Sequence, residues 1–268
     1  MAKLTSNFCR QPRVRFFDIE CPIHGSVNTS ETEQFDGSVL ARGCKHCHWE
    51  ALHTAPRPSE AYTQASGRKK AEDLNRLLVG SGIAPRFQGC TFDSYRTTAG
   101  DVGMAKALNA CKDYVAQFSD NYAAGRSLIL SGNVGNGKTH LACALVQAVI
   151  REHGAQAVIT TAAEIIRVFK GAMDRDAEYS DRDVLNELSS FDLLVIDEVG
   201  AQSGSAYELG VLHEVIDRRY QLVLPTVVVS NLVTADLSRY IGDRAVDRLR
   251  QGGGQAIGFT WASARGAV

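Results

Sequence analysis

The sequence has no apolar run of about 18 residues and almost no net charge. Its 268 residues include 29 lysines and arginines against 30 aspartates and glutamates, a net charge of -1. We therefore expect no membrane-spanning segment, and no general affinity for polyanions; any contact with nucleic acid should be local and sensitive to salt. The first residues have no apolar stretch resembling a signal peptide, so we expect a cytoplasmic protein without membrane contact.

Residues 1–60 lack the apolar residues needed for a sizeable core, but they contain two metal-ligand pairs. Cys21 and His24 form one pair, and Cys44 and Cys47 form the other. Two such pairs can complete a tetrahedral Zn²⁺ shell, and a metal would stabilise so small a segment. The spacing predicts these four residues as zinc ligands. The alternatives to His24 as the fourth ligand are Cys9, His46 and His48. The alternative to a zinc site is a set of free thiols.

A glycine-rich phosphate-binding loop is the most informative motif. The apolar run 128–130 leads into it and a helix-forming stretch follows, which is the context that the pattern G-x-x-x-x-G-K-[ST] requires. Backbone N–H groups and the helix N-terminus would bind phosphate, Lys138 would reach the β- and γ-phosphates, and Thr139 would hold Mg²⁺. The loop consists of Gly132, Asn133, Val134, Gly135, Asn136, Gly137, Lys138 and Thr139.

A second apolar run, 193–196, ends in the acids Asp197 and Glu198. Such a strand in a parallel sheet delivers its polar end to the edge where ligands bind. We expect Asp197 to position Mg²⁺, directly or through water, and Glu198 to orient or deprotonate the attacking water. Together with the phosphate loop, this pair predicts an ATPase.

Two later segments carry further candidate residues. Asn231 follows the run 226–229, where it either senses the γ-phosphate or simply forms a turn. Three arginines lie on one short predicted helix, with Arg244 and Arg248 on the same face. They are either arginine fingers that stabilise phosphoryl charge or a solvated face paired with Asp243 and Asp247.

The order of apolar runs predicts an α/β fold. Helical stretches separate the runs 128–130, 157–160, 193–196 and 226–229, and 256–259 comes last. That alternation predicts a parallel sheet covered on both faces. We divide the chain into a zinc-binding, partner-docking domain (1–55), a helical linker (56–82) and an ATPase domain (83–268). Residues 1–60 hold equal numbers of basic and acidic side chains, which argues against a DNA-reading finger.

Taken together, these motifs resemble the DnaC-type replicative-helicase loaders of bacteria and phages, a branch of the AAA+ P-loop ATPases. Many of these relatives carry a zinc knuckle. The resemblance covers roughly residues 83–265. The segments that carry it are 85–87, 91–93, 132–139, 192–200, 216–220, 242–249 and 259–265.

The resemblance implies roles for particular residues. It implies an arginine finger at Arg248, sensor 1 at Asn231, sensor 2 at Arg265, and single-stranded DNA contacts from Ser205 and Tyr207, although Tyr207 could equally be a packing residue. The expected cofactors are ATP, Mg²⁺ and Zn²⁺. The expected partners are a replicative DNA helicase docked by the zinc domain, single-stranded DNA, and further copies of this chain in an ATP-dependent oligomer.

Two other functions remain open. One is the related IstB-like transposition helper, an ATPase that acts on duplex DNA and a transposase; the zinc knuckle favours the loader, because those helpers usually begin with helices. The other is a zinc-dependent adaptor whose ATPase is incidental. A Lys138 variant that lost function would argue against the adaptor.

Overall fold

The structure is a computed structural model that describes residues 6–98 and 100–263. It divides into two compact units. The smaller unit is Arg10–Gly80, and the larger contains residues 6–9 together with everything from Ser81 onward. Within the described residues, no helix has the length and apolar character needed to cross a bilayer.

The smaller unit is a three-stranded antiparallel sheet with two helices. The strands lie in the order β1-β2-β3, and Cys21 pairs with Gly25 where the first hairpin closes, so His24 lies in the turn. Cys21, Val27 and Cys44 form one buried apolar cluster of this unit, so two predicted metal ligands supply most of that cluster. The elements are β1 (Val14–Cys21), β2 (Gly25–Glu33), β3 (Val39–Ala41), α1 (Lys45–His53) and α2 (Glu60–Val79).

Helix α2 belongs to this unit, although the sequence alone placed it in a linker segment. The Asn75 side chain accepts a hydrogen bond from the Phe35 N–H at 2.8 Å and donates one to the Glu33 carbonyl at 3.0 Å. Arg42, which follows β3, forms an ion pair of 2.8 Å with Glu72 of α2. These polar contacts attach α2 to the sheet.

The larger unit is a five-stranded parallel sheet with helices, as the sequence predicted. The strand order is β5-β6-β7-β4-β8, and every apolar run expected to form a strand does so. The strands are β4 (Leu128–Gly132), β5 (Ala157–Thr161), β6 (Leu193–Val199), β7 (Thr226–Ser230) and β8 (Gln255–Phe259). The helices are α3 (Val102–Ala116), α4 (Phe118–Ala123), α5 (Lys138–His153), α6 (Ala162–Gly171), α7 (Asp181–Leu188), α8 (Ala206–Gln221), α9 (Ser238–Ile241) and α10 (Asp243–Arg250).

The three adjacent strands β4, β6 and β7 position the candidate site. Their side chains are buried almost throughout, which fits strands covered on both faces of a parallel sheet. Because the strands are parallel, their carboxyl ends meet at one edge. The phosphate loop begins at the end of β4, the Asp197–Glu198 pair lies in the last residues of β6, and Asn231 follows β7.

Residues on both sides of the smaller unit are anchored in the larger one. Before it, the Glu187 carboxylate accepts hydrogen bonds from the Ser6 hydroxyl at 2.5 Å and the Asn7 N–H at 3.0 Å, and Phe8 joins the apolar core. After it, the Ser81 carbonyl accepts a hydrogen bond from the Ile159 N–H at 2.8 Å. The smaller unit is therefore an insertion in the chain that builds the larger one.

Arg219 is a buried charge that ties the far end of α8 to the sheet. It is completely buried, and its guanidinium donates to the carbonyls of Leu188, Phe191 and Pro225 at 2.7, 3.0 and 2.8 Å. A fourth bond of 3.0 Å goes to the Thr226 hydroxyl at the start of β7. Buried charges persist when their donors are satisfied in this way.

Replacing Arg219 with leucine should lower the free energy of unfolding by about 3 kcal/mol, because three buried carbonyls would lose their donors. Denaturant unfolding of the full chain, followed by circular dichroism, would measure the change. Arg218→Leu is the matched control, since Arg218 is only half-buried, and it should cost less than about 0.5 kcal/mol. Equal losses in both variants would contradict a structural role specific to Arg219.

Candidate functional site

The phosphate loop has the backbone geometry that its glycines predict. Gly132 adopts φ +134, and a Cβ there would lie 2.2 Å from the Phe259 carbonyl oxygen. Gly137 adopts φ +84, and a Cβ there would lie 2.6 Å from the Tyr95 ring. Both positions require glycine, because a side chain would clash and the backbone is left-handed or nearly so. Helix α5 begins at Lys138 directly after the loop, with Gly137 as its N-cap, and a helix N-terminus suits an anion.

The Lys138 side chain lies inside this loop. It is 4% exposed, and its ammonium donates to the carbonyls of Gly132 at 2.8 Å and Asn133 at 2.6 Å. These bonds hold the positive charge within the loop that the sequence predicts as the phosphate cradle. A lysine in that position suits anionic phosphate oxygens as a compact point charge.

The structure brings Thr139 and Asp197 together across 58 residues of sequence. The Thr139 hydroxyl donates to the Asp197 carboxylate at 2.9 Å, and burial raises the pKa of Asp197. A hydroxyl beside a buried carboxylate is an oxygen donor set that Mg²⁺ accepts, and a bound cation would favour the ionised carboxylate again. The pair therefore fits the predicted magnesium site.

Glu198 occupies an irregular position at the end of β6. The pairing of β6 with β7 shifts register between Ile196 and Val199, so Glu198 lies in a bulge. Its backbone adopts φ +57, and its N–H donates to the Asp197 carboxylate at 2.7 Å. A non-glycine residue in this conformation is strained, and such strain concentrates at functional sites. The bulge turns Glu198 into solvent while Asp197 stays buried.

Asn231 lies next to the phosphate loop. It is exposed and directly follows β7, and the next residue, Leu232, accepts a hydrogen bond from the Gly132 N–H at 3.1 Å. The Ser230 hydroxyl donates to the Val199 carbonyl at 2.5 Å, which fixes the end of β7 beside the Glu198 bulge. The residues on either side of Asn231 are thus bonded to the end of β6, beside Glu198, and to Gly132 of the phosphate loop.

A network around Asn136 was missed by the sequence analysis. The Asn136 amide donates to the carbonyls of Phe259 at 3.1 Å and Trp261 at 2.5 Å, and the Trp261 indole donates back to the Asn136 carbonyl at 3.1 Å. Tyr95 donates to that same carbonyl at 3.3 Å. These contacts brace the phosphate loop against the segment that follows β8. Nothing local in the sequence marks Trp261, because its partner lies 125 positions away.

The structure does not bring Arg248 to the phosphate loop of its own chain. Its guanidinium forms an ion pair with Asp217 on α8 and lies 5.4 Å from the centre of the Tyr220 ring. The sequence analysis offered a solvated arginine face paired with Asp243 and Asp247 as the alternative. Among the residues that the structure describes, neither aspartate forms an ion pair with Arg248. Arg244 is exposed, whereas Arg248 is half-buried.

The two candidate DNA residues begin helix α8. The Ser205 hydroxyl accepts the Glu208 N–H at 3.3 Å, and Glu208 in turn accepts the Ser205 N–H, which makes a capping box. Tyr207 follows in the first turn and is 37% exposed, with the Lys170 ammonium 5.9 Å from its ring centre. Ser205 therefore has a structural role in capping α8. Arg265 lies outside the described residues.

The four predicted zinc ligands converge in the smaller unit. Their ligand atoms all lie within 4.8 Å of one another, in the group Cys21, His24, Cys44 and Cys47. The His24 Nδ1 lies 3.6, 3.5 and 3.3 Å from the sulfurs of Cys21, Cys44 and Cys47. A tetrahedral zinc with bonds of about 2.0–2.3 Å would need ligand separations of about 3.5–3.8 Å. The three nitrogen–sulfur separations and the 3.6 Å between the sulfurs of Cys21 and Cys47 are close to these values.

The surroundings of the cluster also suit a cation. Backbone N–H groups of Ile23 and His24 lower the pKa of Cys21 to about 6. The pKa of Cys47 is raised to about 12, chiefly by its hydrogen bond with Cys21, and a divalent cation would reverse that effect. The His24 Nε2 lies 3.1 Å from the Glu50 carboxylate, an outer partner of the kind that orients metal-bound histidines.

The alternative ligands are placed elsewhere. The His46 ring lies 5.3 Å from the His24 ring but outside the ligand group, and His48 lines a separate cavity of the smaller unit. Cys9 packs against the core of the larger unit. Glu50 is the residue that sequence reasoning missed, since a lone glutamate on a helix carries no signal.

Comparison with known proteins identifies the family. A family model described as IstB-like ATP binding protein matches residues 94–249. The replicative helicase loader DnaC of Escherichia coli strain K12 is 36% identical over 199 residues, which cover 74% of this chain and 78% of that protein. The DnaC loader of Buchnera aphidicola subsp. Acyrthosiphon pisum is 35% identical over 214 residues, covering 76% and 85%.

Solved structures agree on the fold. A crystal structure of the DnaC helicase loader matches with a TM-score of 0.59 and 24% identity, over 66% of this chain and 99% of that one. A crystal structure of DnaI matches with a TM-score of 0.53 and 20% identity, over 68% and 93%. The sheet that positions the phosphate loop is thus the AAA+ fold predicted from the motifs. The chain belongs to the IstB-like family of ATP-binding proteins, together with the DnaC-type helicase loaders.

Proposed function

We propose that this protein is an ATP-dependent loader of a replicative DNA helicase onto single-stranded DNA. The observation that carries the proposal is the joint placement of Lys138, Thr139, Asp197 and Glu198 at one sheet edge, in a chain 36% identical to a DnaC loader. ATP binding and hydrolysis would control helicase loading and release. The protein would act as a slow switch in the cytoplasm, and its ATPase would time the partner's release.

Each residue of the nucleotide site has a definite task. Lys138 and the loop N–H groups would bind phosphate, and Thr139 with Asp197 would hold Mg²⁺, which when bound would supply positive charge beside the phosphoryl oxygens. Glu198, turned into solvent by the bulge, accepts a proton from the attacking water or orients it. Asn231 helps to position that water. Arg265 is proposed as the second sensor from the resemblance alone.

In this proposal the zinc-bearing unit docks on the helicase, and the ATPase unit binds the strand. The four ligands Cys21, His24, Cys44 and Cys47 would hold one Zn²⁺ that keeps the unit folded. Tyr207 would stack on a base, which is how strands are held without regard to sequence.

Tyr207→Ala should weaken ATP-dependent binding of single-stranded DNA by about 1–3 kcal/mol, because one stacking platform is lost. Fluorescence anisotropy with a labelled oligothymidine would measure it. Tyr122→Ala is the matched control, since Tyr122 is 39% exposed against 37% for Tyr207 but lies on α4. If both variants bind as tightly as the unaltered protein, Tyr207 is a packing residue. Capture of a replicative helicase from lysate should be unchanged in either.

Arg248→Ala should reduce ATP hydrolysis by roughly tenfold or more while leaving ATP binding intact, if Arg248 acts on the nucleotide of a neighbouring subunit. Arg248 lies in its own chain against Asp217, so the structure supports no contact in cis. Steady-state turnover and nucleotide titration would separate the two effects. Arg244→Ala, on the same face but exposed, is the control and should hydrolyse normally.

Complementation tests the trans arrangement directly. Mixing Arg248→Ala with Glu198→Gln should restore some turnover, because a mixed interface pairs an intact Glu198 with an intact Arg248. No recovery at any ratio, with mixed assembly verified by crosslinking, would count against a finger in trans.

The transposition helper remains a second candidate, since the matching family model describes IstB-like proteins. The two functions differ in their DNA. A loader should prefer single-stranded DNA in the presence of ATP and capture a helicase. A helper should prefer duplex DNA and capture a transposase instead, and that outcome would replace the proposal.

A further inference from the structure

The smaller unit carries a groove that neither its fold nor the nucleotide site explains. A cavity of about 230 Å³ and a second of about 320 Å³ share Phe16, Ser30, Arg42 and Glu72 in their walls. The two cavities therefore adjoin beside the sheet and α2, and we treat them as one groove. We call this the sheet groove.

Charge is segregated toward this groove. Its walls contain Arg42, Lys45, Arg68 and Arg76, whereas Glu72 is its one acidic wall residue. Residues 10–80 as a whole hold ten basic and nine acidic side chains. Their net charge therefore does not reveal that basic residues outnumber acidic ones in the walls of the groove. Two of the four cations have acidic partners, since Arg42 pairs with Glu72 at 2.8 Å and Arg76 with Asp73 at 3.3 Å. Asp18 lies beside the groove, hydrogen-bonded to Asn28. Lys45 and Arg68 are in no ion pair among the residues that the structure describes.

The groove also presents an aromatic ring. Phe16 is 70% exposed although it lies in a β-strand, and it borders both cavities. Val14 and Leu40 are 46% and 44% exposed and line the second cavity with it, so the ring belongs to an exposed apolar patch of the kind that marks a contact surface. The neighbouring wall residues Asn28 and Ser30 offer hydrogen-bonding groups.

We propose that the sheet groove binds single-stranded nucleic acid, with Phe16 stacked on a base and Arg68 and Lys45 on adjacent phosphates. An aromatic platform beside a row of cations is the combination by which proteins hold single strands without reading their sequence. The groove is a second strand-binding surface, separate from the Tyr207 surface of the other unit, and it does not depend on ATP.

The cations without an acidic partner favour an anionic ligand. Lys45 and Arg68 lie in the wall of the first cavity together with the Asn28 amide. The second cavity adds Val14 and Leu40 beside Phe16. A single strand suits both parts, because its bases stack on the ring while its phosphates bind the cations. An acidic peptide would be attracted by the same cations, and the test below distinguishes it. A duplex would need a broad, continuously basic face, and residues 10–80 have almost no net charge.

The test uses the full chain without nucleotide, so that ATP-dependent binding does not contribute. A labelled oligothymidine is titrated by fluorescence anisotropy at several salt concentrations. Phe16→Ala should weaken binding about tenfold. Arg68→Ala should reduce the slope of log K against log salt by about 0.7, the amount expected when one phosphate contact on a single strand is lost. Tyr207→Ala should leave this ATP-independent binding unchanged.

Matched controls keep the result interpretable. Trp49→Ala removes another exposed aromatic of the same unit, and Lys69→Ala removes the cation next to Arg68; neither lines the groove. Both should bind like the unaltered protein, and an unchanged metal content would show that each variant is folded. Absence of ATP-independent binding, or equal binding by Phe16→Ala and Trp49→Ala, overturns the proposal. The proposal is also overturned if Phe16→Ala and Arg68→Ala lose helicase capture but still bind DNA. In that case the groove is a protein-docking surface.

Discussion

Glu198→Gln should bind ATP normally and hydrolyse it about 10²–10⁴-fold more slowly, because glutamine cannot accept a proton from the attacking water. The two side chains have the same shape, so the strained backbone of the bulge and the bond from the Glu198 N–H to Asp197 should persist. Single-turnover hydrolysis and nucleotide titration would measure the two properties separately. The expected loss corresponds to about 3–5 kcal/mol of transition-state stabilisation.

Two further variants sharpen this experiment. Lys138→Ala should fail at the earlier step, with weakened nucleotide binding, since it removes the buried cation of the loop. Glu214→Gln removes an exposed acid of α8 and should leave both binding and turnover unchanged. Turnover by Glu198→Gln at the rate of the unaltered protein would show that another group activates the water.

Removing zinc should unfold residues 10–80 and leave the ATPase unit folded. Structural zinc in small domains supplies about 10–16 kcal/mol at neutral pH, and two of the four ligand candidates, Cys21 and Cys44, are buried in the apolar cluster of the sheet. We expect about one Zn²⁺ per chain, lost in Cys44→Ser. Metal analysis would test the stoichiometry, and limited proteolysis after chelation should cut within 10–80 while the nucleotide site still binds ATP.

The choice of substitution distinguishes the ligand sets. His24→Ala should lose zinc as Cys44→Ser does, whereas His46→Ala should retain it, since His46 lies beside the cluster without joining it. Glu50→Ala should weaken zinc affinity by about 10–100-fold, because it removes the partner that orients His24. A purified protein without zinc, or full retention of zinc by Cys44→Ser, would contradict the assignment.

The experiments on helicase docking should use Cys44→Ser and not a deletion of residues 1–55. Such a deletion would also remove Ser6–Cys9, which belong to the ATPase unit and bond to Glu187. Loss of docking would then have two explanations. A zinc-site variant leaves that anchor in place.

The sequence alone determined the parts that depend on local patterns. The five strands were predictable because apolar runs of that length between helices form buried parallel strands. The phosphate loop, the Asp197–Glu198 pair and the zinc ligands were predictable because each requires particular residue types at short, fixed spacings. The structure brings Thr139 to Asp197 and gathers the four zinc-ligand candidates as those patterns predicted.

Only the tertiary structure decided the contacts between distant residues. Asn136 with Trp261, Arg248 with Asp217 and Arg219 with the carbonyls around it join positions that share no spacing rule. The basic groove was hidden for a similar reason, since a total of charges does not tell which face carries them. Short-range patterns fix which elements form, because they depend on neighbours in the chain. Packing then chooses the partners, because burial leaves each polar group only those donors and acceptors that the fold brings within reach.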